Sequence, residues 1–508
     1  MYNSCMKMLK KSILVSLISL FSVVLSSCSF TPNFKPYEYN VEDTDKYQDI
    51  SGDGYYQPKS YKPLTYLNDK NEQESFSSYL DVYRHKNRYI SMNTTGVSNI
   101  LVIPVDFEDC TVETIKVNPS DYYANVENAF FGDPSVTQFE SVASYFDKSS
   151  YGKLKIKGKV VHEFFRSPYS VSYLNEGKYE DKQQKIPDLY NQAIKWYSTK
   201  FDDISSFYIN GDKSLGLPIY FVYTAPYANT SESVFWAYTF LTGSLFSWSS
   251  YFTMNLDYRN KPDSHTFIHE TGHLLSLRDY YATNNSKFGP TGRIDMMDYS
   301  IGDETAYSKM LLNWVRPYVV TGNSTITIKP LATDRDLILL KDNWNGSVLD
   351  EYLLIELYSP INLNEYDSNV GNSSAILPSN PGIKVYHVDS RAAFFTYNAG
   401  RNDSVPQGYV GEAKLSKEKY RVGIAHSNAY DTKSQYSKCS LYHLLENHGA
   451  ETFKNGEMAT MKTFWYKGDD FGVTCFNDFT FNSGAKLGYT FHVDSLDSGS
   501  ATITFTKL

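Results

Sequence analysis

Asp263-Ser-His-Thr-Phe-Ile-His269-Glu270-Thr-Gly-His273-Leu-Leu-Ser-Leu-Arg-Asp279-Tyr-Tyr is the stretch that gives the most information about this chain of 508 residues. It contains His-Glu-x-x-His. On an α-helix, positions i and i+4 share one face, about 6 Å apart along the axis. Two imidazoles so placed can bind one Zn²⁺ at about 2.0–2.1 Å each. A Glu that directly follows the first His can take a proton from an attacking water. Pro262 and Asp263 mark a helix start, with Asp263 or Ser264 as cap. Ile268, Leu274, Leu275 and Leu277 supply apolar packing around the polar face. The bland alternative is a helix with two surface His and a solvated Glu.

A catalytic zinc needs a third protein ligand and one open position. Asp279 lies six residues past His273, where the long pattern His-Glu-x-x-His-x-x-Gly-x-x-His places its third His. A carboxylate oxygen can serve in that place. The alternative for Asp279 is a loop carboxylate paired with Arg278. The Gly that lets the chain turn in the long pattern is here Ser276, a departure. His265 precedes His269 by four residues, one turn too early for a ligand, and is expected behind the site or in the core. Downstream, Met296 or Met297 is a candidate for a turn beneath the metal, or else plain core. Tyr280, Tyr281, Tyr299 and Tyr307 are candidate oxyanion donors. Asp295, Asp298 and Asp303 are hard oxygen donors of the kind Ca²⁺ takes, and caps or turns explain them as well. Asp303 reads as the N-cap of an amphipathic helix over 306–314.

Further matches extend the pattern on both sides. They are Asn99–Phe107, Ser141-Val-Ala-Ser-Tyr-Phe-Asp-Lys-Ser-Ser-Tyr-Gly-Lys-Leu154, Asp295-Met-Met-Asp298 and Ala306-Tyr-Ser-Lys-Met-Leu-Leu-Asn-Trp314. Glu351-Tyr-Leu-Leu-Ile-Glu356 and Gly382-Ile-Lys-Val-Tyr-His-Val-Asp389 follow in order. Over about 99–390 the chain thus resembles the immune inhibitor A-like secreted bacterial metallopeptidases. The resemblance implies a zincin catalytic domain, then a β-rich domain. It implies Zn²⁺ on His269, His273 and Asp279, Glu270 as general base, endopeptidase activity, and often structural Ca²⁺.

Outward from there, 76–318 mixes helices and strands. Asn99–Phe107, Leu154–Val161 and Leu217–Tyr223 read as strands, 188–197 as helix, and 141–146 as the end of a helix. After Pro317, short strand-like runs at 319–320, 325–328, 337–340, 352–357, 383–386 and 501–505 are separated by Gly, Asn, Asp and Ser. The expected fold class is α+β: a zincin-like catalytic domain (76–318) followed by an all-β sandwich or jelly-roll-like C-terminal domain (319–508).

At the N-terminus, Lys7, Lys10 and Lys11 precede an uncharged apolar stretch, 12–27, that ends in Leu25-Ser-Ser-Cys28. This has the form of a secretory signal, and its ending resembles a lipobox in which Cys28 is lipidated. The stretch is short for a membrane span. Residues 1–27 are therefore expected to be a lipoprotein signal peptide, and 28–75 a polar tether or propeptide-like linker. The expected location is the outer face of a bacterial membrane, held by lipid. Of the five Cys, only Cys110, Cys439 and Cys475 follow the signal, so at most one disulfide forms.

With 48 Lys+Arg against 57 Asp+Glu the net charge is −9. No basic tract is present, which argues against nucleic-acid binding. Nothing points to a coiled coil, so a monomer is expected. The functional expectation is a cell-surface zinc endopeptidase acting on proteins or peptides. The competing class is a surface lipoprotein that binds host glycan or protein and carries a vestigial zinc site.

Overall fold

The computed structural model describes residues 53–67, 73–76, 90–177, 179–228, 233–241, 243–281, 287–371, 375–396, 405–409, 420–424, 428 and 440–508. The expected signal peptide, Cys28 and Cys439 lie outside the described residues. Among the described residues, no helix is long and apolar enough to cross a membrane, and Cys110 and Cys475 are free thiols.

The chain is mixed α and β, with several sheets. In the first half the elements run β1 (Gly96–Asp106), α1 (Pro119–Phe131), α2 (Val142–Ser149), β2 (Leu154–Val160), α3 (Tyr179–Lys200), β3 (Ile219–Tyr223), β4 (Tyr238–Phe240), β5 (Phe246–Ser250) and α4 (His265–Leu274). The strands lie in the order β2-β1-β3-β5-β4. All neighbours are parallel except β4, which runs antiparallel to β5. The near-continuous apolar run of β1 follows from burial on both faces. Ile100 and Val102 share a core with Phe130 of α1 and Phe267 of α4. Leu101, Ile103 and Val105 share another with Leu189, Ala193 and Tyr197 of α3. The metal-motif helix thus lies on one face of the sheet and α3 on the other.

Two local expectations need correction. Ser141 starts a helix rather than ending one. Its Oγ accepts from the Ser144 N–H (3.1 Å), and Ser144 Oγ accepts from the Ser141 N–H (2.9 Å), a reciprocal cap. The next helices are α5 (Met296–Tyr299) and α6 (Ala306–Leu311), and the N-cap of α6 is Thr305. Asp303 instead forms a buried ion pair with Lys309 at 2.7 Å, and Ser149 Oγ donates to it at 2.6 Å.

The second half holds β6 (Tyr318–Val320), β7 (Ser324–Ile328), β8 (Ile338–Leu340), β9 (Glu351–Tyr358), β10 (Gly382–Asp389), β11 (Tyr442–Leu445), β12 (Tyr489–Leu496) and β13 (Ala501–Lys507). One sheet runs β6-β8-β9-β10-β11, with β6 and β8 parallel. A second runs β7-β13-β12 and ends on Asp470–Phe471. The two share a core that includes Ile326, Leu353, Ile355, Val385, Phe491 and Ile503.

The division expected at 318/319 is not a division of cores. Side chains alternate along β9 and β10. Tyr352, Leu354, Tyr386 and Val388 point away from the second sheet and join Phe267, Tyr280 and Tyr307 in one apolar cluster. Polar contacts cross the same boundary. Glu356 of β9 accepts from the Ala306 N–H at the start of α6 (3.1 Å) and pairs with buried Lys384 (3.1 Å). Ordered structure also begins before residue 76, contrary to expectation. Tyr55–Tyr56 forms a strand against Val320 and Val319. Tyr61 OH donates to the Val315 carbonyl (2.8 Å), and the Arg316 guanidinium lies 4.3 Å from the Tyr61 ring centroid. This stretch of the expected linker is a strap held by aromatic side chains.

Candidate active site

Helix α4 is amphipathic by its i, i+4 spacing. Phe267, Ile268 and Leu274 are buried against the sheet side. His269, Glu270 and His273 line a cleft of about 780 Å³ between β4 and the segment 298–300. Asp263 serves the helix start, because its Oδ1 accepts from the His265 N–H (3.0 Å). Ser264 turns its Oγ away and donates to the Glu140 carbonyl.

The helix ends in a left-handed turn. Ser276 takes φ 71°, and the Leu277 N–H reaches back to the Gly272 carbonyl (3.0 Å). The departure from Gly therefore does not prevent the turn. It is a non-glycine left-handed residue, at a cost of roughly 1 kcal/mol. Beyond the turn, Tyr280 anchors the chain. Its N–H donates to the Met297 carbonyl (2.8 Å), its hydroxyl meets Ser308 Oγ (2.9 Å), and its ring is buried. That anchoring brings Asp279 back to the helix.

Asp279 Oδ1 lies 3.2 Å from Nε2 of His269 and 3.2 Å from Nε2 of His273. Three ligands on a tetrahedral ion at about 2.0–2.1 Å would stand about 3.3 Å apart. The donor set therefore fits zinc by its chemistry and its spacing. The other ring nitrogens are already held. His269 Nδ1 donates to the Met296 carbonyl (2.7 Å) and His273 Nδ1 to the Leu277 carbonyl (2.9 Å). Each leaves Nε2 facing the common point, as metal-bound His requires. Burial disfavours charge on His273, but Asp279 outweighs it and holds the imidazole up at about 9. Against the same cost of burial, the two imidazoles hold Asp279 far below the usual carboxylate range.

Glu270 is buried, and its carboxylate oxygen comes within 4.8 Å of the ligand atoms of both His. Burial raises its pKa, and the two His oppose the rise. Thr239 Oγ1 donates to Glu270 Oε2 at 2.7 Å. Met297 packs beneath the helix. A Cβ on Gly272 would lie 2.6 Å from its Sδ, so this position takes no side chain. Tyr281 and Tyr299 line the cleft. Burial, then the charges of Asp279 and Glu270, push the Tyr281 phenol well up. Tyr307 and Tyr280 are corrected as oxyanion candidates. Both are fully buried, their ring centroids are 6.2 Å apart, and neither lines the cleft.

The three downstream carboxylates have separate tasks. Asp295 caps α5 through the Met297 N–H (2.7 Å) and accepts from Thr305 Oγ1 (2.5 Å). Asp298 accepts from Thr291 and lines the cleft. Asp303 pairs with Lys309. Burial first pushes Asp295 up to about 7 and Asp298 up to about 6. Among the described residues, none of these three belongs to a His/Cys/Asp/Glu group with metal-ligand spacing.

His265 is held on both sides. Nδ1 meets Asp263 at 2.5 Å, Nε2 meets Asp367 at 3.0 Å, and the ring stacks on Phe139 at 4.3 Å. Both nitrogens face carboxylates, so the ring is an imidazolium in a structural pair and not a metal ligand. Burial opposes its charge, but Asp263 and Asp367 outweigh it and set the pKa at about 10. The folded value lies above the unfolded one of 6.5. Its contribution is therefore full below 6.5 and is lost as pH rises through about 10. His265→Gln should lower stability by about 3–5 kcal/mol at pH 6. In thermal melts, the gap between the two proteins should shrink steadily towards pH 10. A gap that is constant across that range would reject the charged pair.

Sequence reading did not single out Thr239, Ser247 or the cleft aromatics Tyr227 and Trp236. The hairpin that carries the two hydroxyl residues had a signal. Tyr238-Thr-Phe240 and Phe246-Ser-Trp-Ser-Ser250 are short aromatic runs split by Gly243. Among known proteins, no family model matches this chain, and no curated protein matches it.

Proposed function

We propose that this chain is a zinc-dependent endopeptidase of the immune inhibitor A-like kind, with a zincin-like part over 76–318 and a sandwich or jelly-roll-like part after it. The observation that carries this reading is the convergence of Asp279 Oδ1 on both Nε2 atoms at 3.2 Å, with Glu270 beside them. In this reading His269, His273 and Asp279 hold Zn²⁺. When bound, zinc supplies Lewis acidity that polarises a carbonyl and brings the pKa of water towards 7.

Glu270 then acts as the proton carrier. Oε2 is occupied by Thr239, which leaves Oε1 to accept the proton of the attacking water and return it to the leaving amine. Tyr281 and Tyr299 are the phenols on the cleft wall that can donate to a developing oxyanion. Ala237, Tyr238 and Thr239 line the cleft along β4, whose one described partner is β5. An extended peptide can add to that edge and present its carbonyl to the site. The same reading places the protein outside the cytoplasm, held to a membrane by lipid on Cys28, with proteins or peptides as substrates.

The test is hydrolysis of an unfolded generic protein by a soluble form covering 29–508. Activity should disappear with a zinc chelator and return with added zinc. A zinc-loaded protein that cleaves nothing, even with 29–52 removed, would favour the binding-lipoprotein alternative.

A further inference from the structure

Thr239 and Ser247 are directly opposite one another on the antiparallel pair β4 and β5. Their hydroxyl oxygens are 2.8 Å apart, and both lie against Glu270. The Glu270 main-chain carbonyl is a further acceptor, 3.1 Å from Thr239 Oγ1. An ionised carboxylate only accepts, so Thr239 gives its single hydroxyl proton to Glu270 Oε2 at 2.7 Å. Ser247 then has a single proton facing two acceptors, Thr239 Oγ1 at 2.8 Å and the Glu270 carbonyl at 3.2 Å. Ser247 is fully buried, so its geometry is set by the sheet and not by solvent.

We propose that Thr239, oriented by Ser247, is a positioning residue that fixes the carboxylate plane of Glu270 relative to a peptide lying in the cleft along β4. The inference rests on Glu270 being the base. Its physical content is that one residue serves two ends. Thr239 itself lines the cleft, and its side chain holds the group that must meet the substrate's attacking water. Register of the peptide and aim of the base are thereby tied to one three-residue strand. A hydrogen bond to a charged acceptor is among the stronger ones, and misplacing a base in a proton transfer lowers turnover more than binding.

Four variants separate the possibilities: Thr239→Val, Thr239→Ser, Ser247→Ala and Glu270→Gln. Val keeps the β-branched shape and removes the donor. Thr239→Val should lower kcat by about 10- to 100-fold, with KM changed less than about twofold and zinc still bound one per chain. A crystal structure of zinc-free Thr239→Val should show the Glu270 carboxylate rotated from its place. Thr239→Ser should return most of the lost turnover, and Ser247→Ala should show a smaller loss in the same direction.

An unchanged kcat in Thr239→Val, beside an inactive Glu270→Gln, would overturn this inference and leave the assignment of the base standing. So would a Thr239→Val that loses zinc or melts far lower, and so would a Thr239→Ser that restores nothing. A fully active Glu270→Gln would overturn the assignment of the base, and this inference with it.

Discussion

Glu270→Gln is expected to lower kcat by about 10³- to 10⁴-fold, at the upper end of what a positioned general base contributes, while zinc content and fold are kept. The expectation follows from what the substitution preserves. Gln has the same shape, and its amide oxygen can still accept from Thr239. It cannot accept a proton from the attacking water. His269, His273 and Asp279 are untouched, so titration with a chromogenic chelator should still release one zinc per chain. Stability should not fall and should rise slightly. Glu270 is 4% exposed, and burial works against its charge. A neutral isostere relieves that cost, as expected when a group is kept for function at the expense of stability. Undiminished turnover in a clean preparation would remove Glu270 from the mechanism.

The centre of the site was legible because its geometry is local. Helical spacing alone places His269 and His273 on one face with Glu270 beside the first of them, and six further residues place Asp279 after one turn. The sequence left that turn open, since Ser276 stands where Gly is usual. The structure resolves it by holding Ser276 at positive φ, anchored beyond by Tyr280. What could not be read depends on contacts far apart in sequence. Thr239 reaches Glu270 across 31 residues, and nothing beside Thr239 announces it. Asp303 looks like a cap by its neighbours, yet it serves Lys309 and Ser149 in a buried group.

The strands after 317 were legible as strands, because β-branched and aliphatic runs between polar turns carry that signal locally. Their second buried face was not, since an apolar run does not say which core each side chain enters. Tyr352 and Leu354 join the core beneath α4, whereas Leu353 and Ile355 join the core between the sheets. This has a consequence for the site. Tyr442 of β11 donates to Thr305 Oγ1 (2.6 Å), Thr305 donates to Asp295, and Asp295 holds the Met297 N–H. The turn under His269 is thus supported from the C-terminal half.

Asp279→Ala should abolish activity by releasing the metal rather than by disabling the proton carrier. Four-ligand zinc sites bind with apparent free energies of about 10–16 kcal/mol. One ligand's share is then about 3 kcal/mol, or roughly 10²-fold in affinity. Isothermal titration of the zinc-free protein should show at least that weakening, and dialysis against a weak chelator should leave the variant empty and the parent loaded. The melting temperature gained on adding zinc should shrink in parallel, because stabilisation by a ligand follows its affinity. The contrast with Glu270→Gln is the informative part: one variant loses metal and turnover together, the other turnover alone. Full zinc content in Asp279→Ala would mean that another residue completes the site. Tyr281 and Asp298 are the other oxygen donors of the cleft nearest in sequence to His273 on its C-terminal side, and Asp298→Ala in the same background would then decide between them.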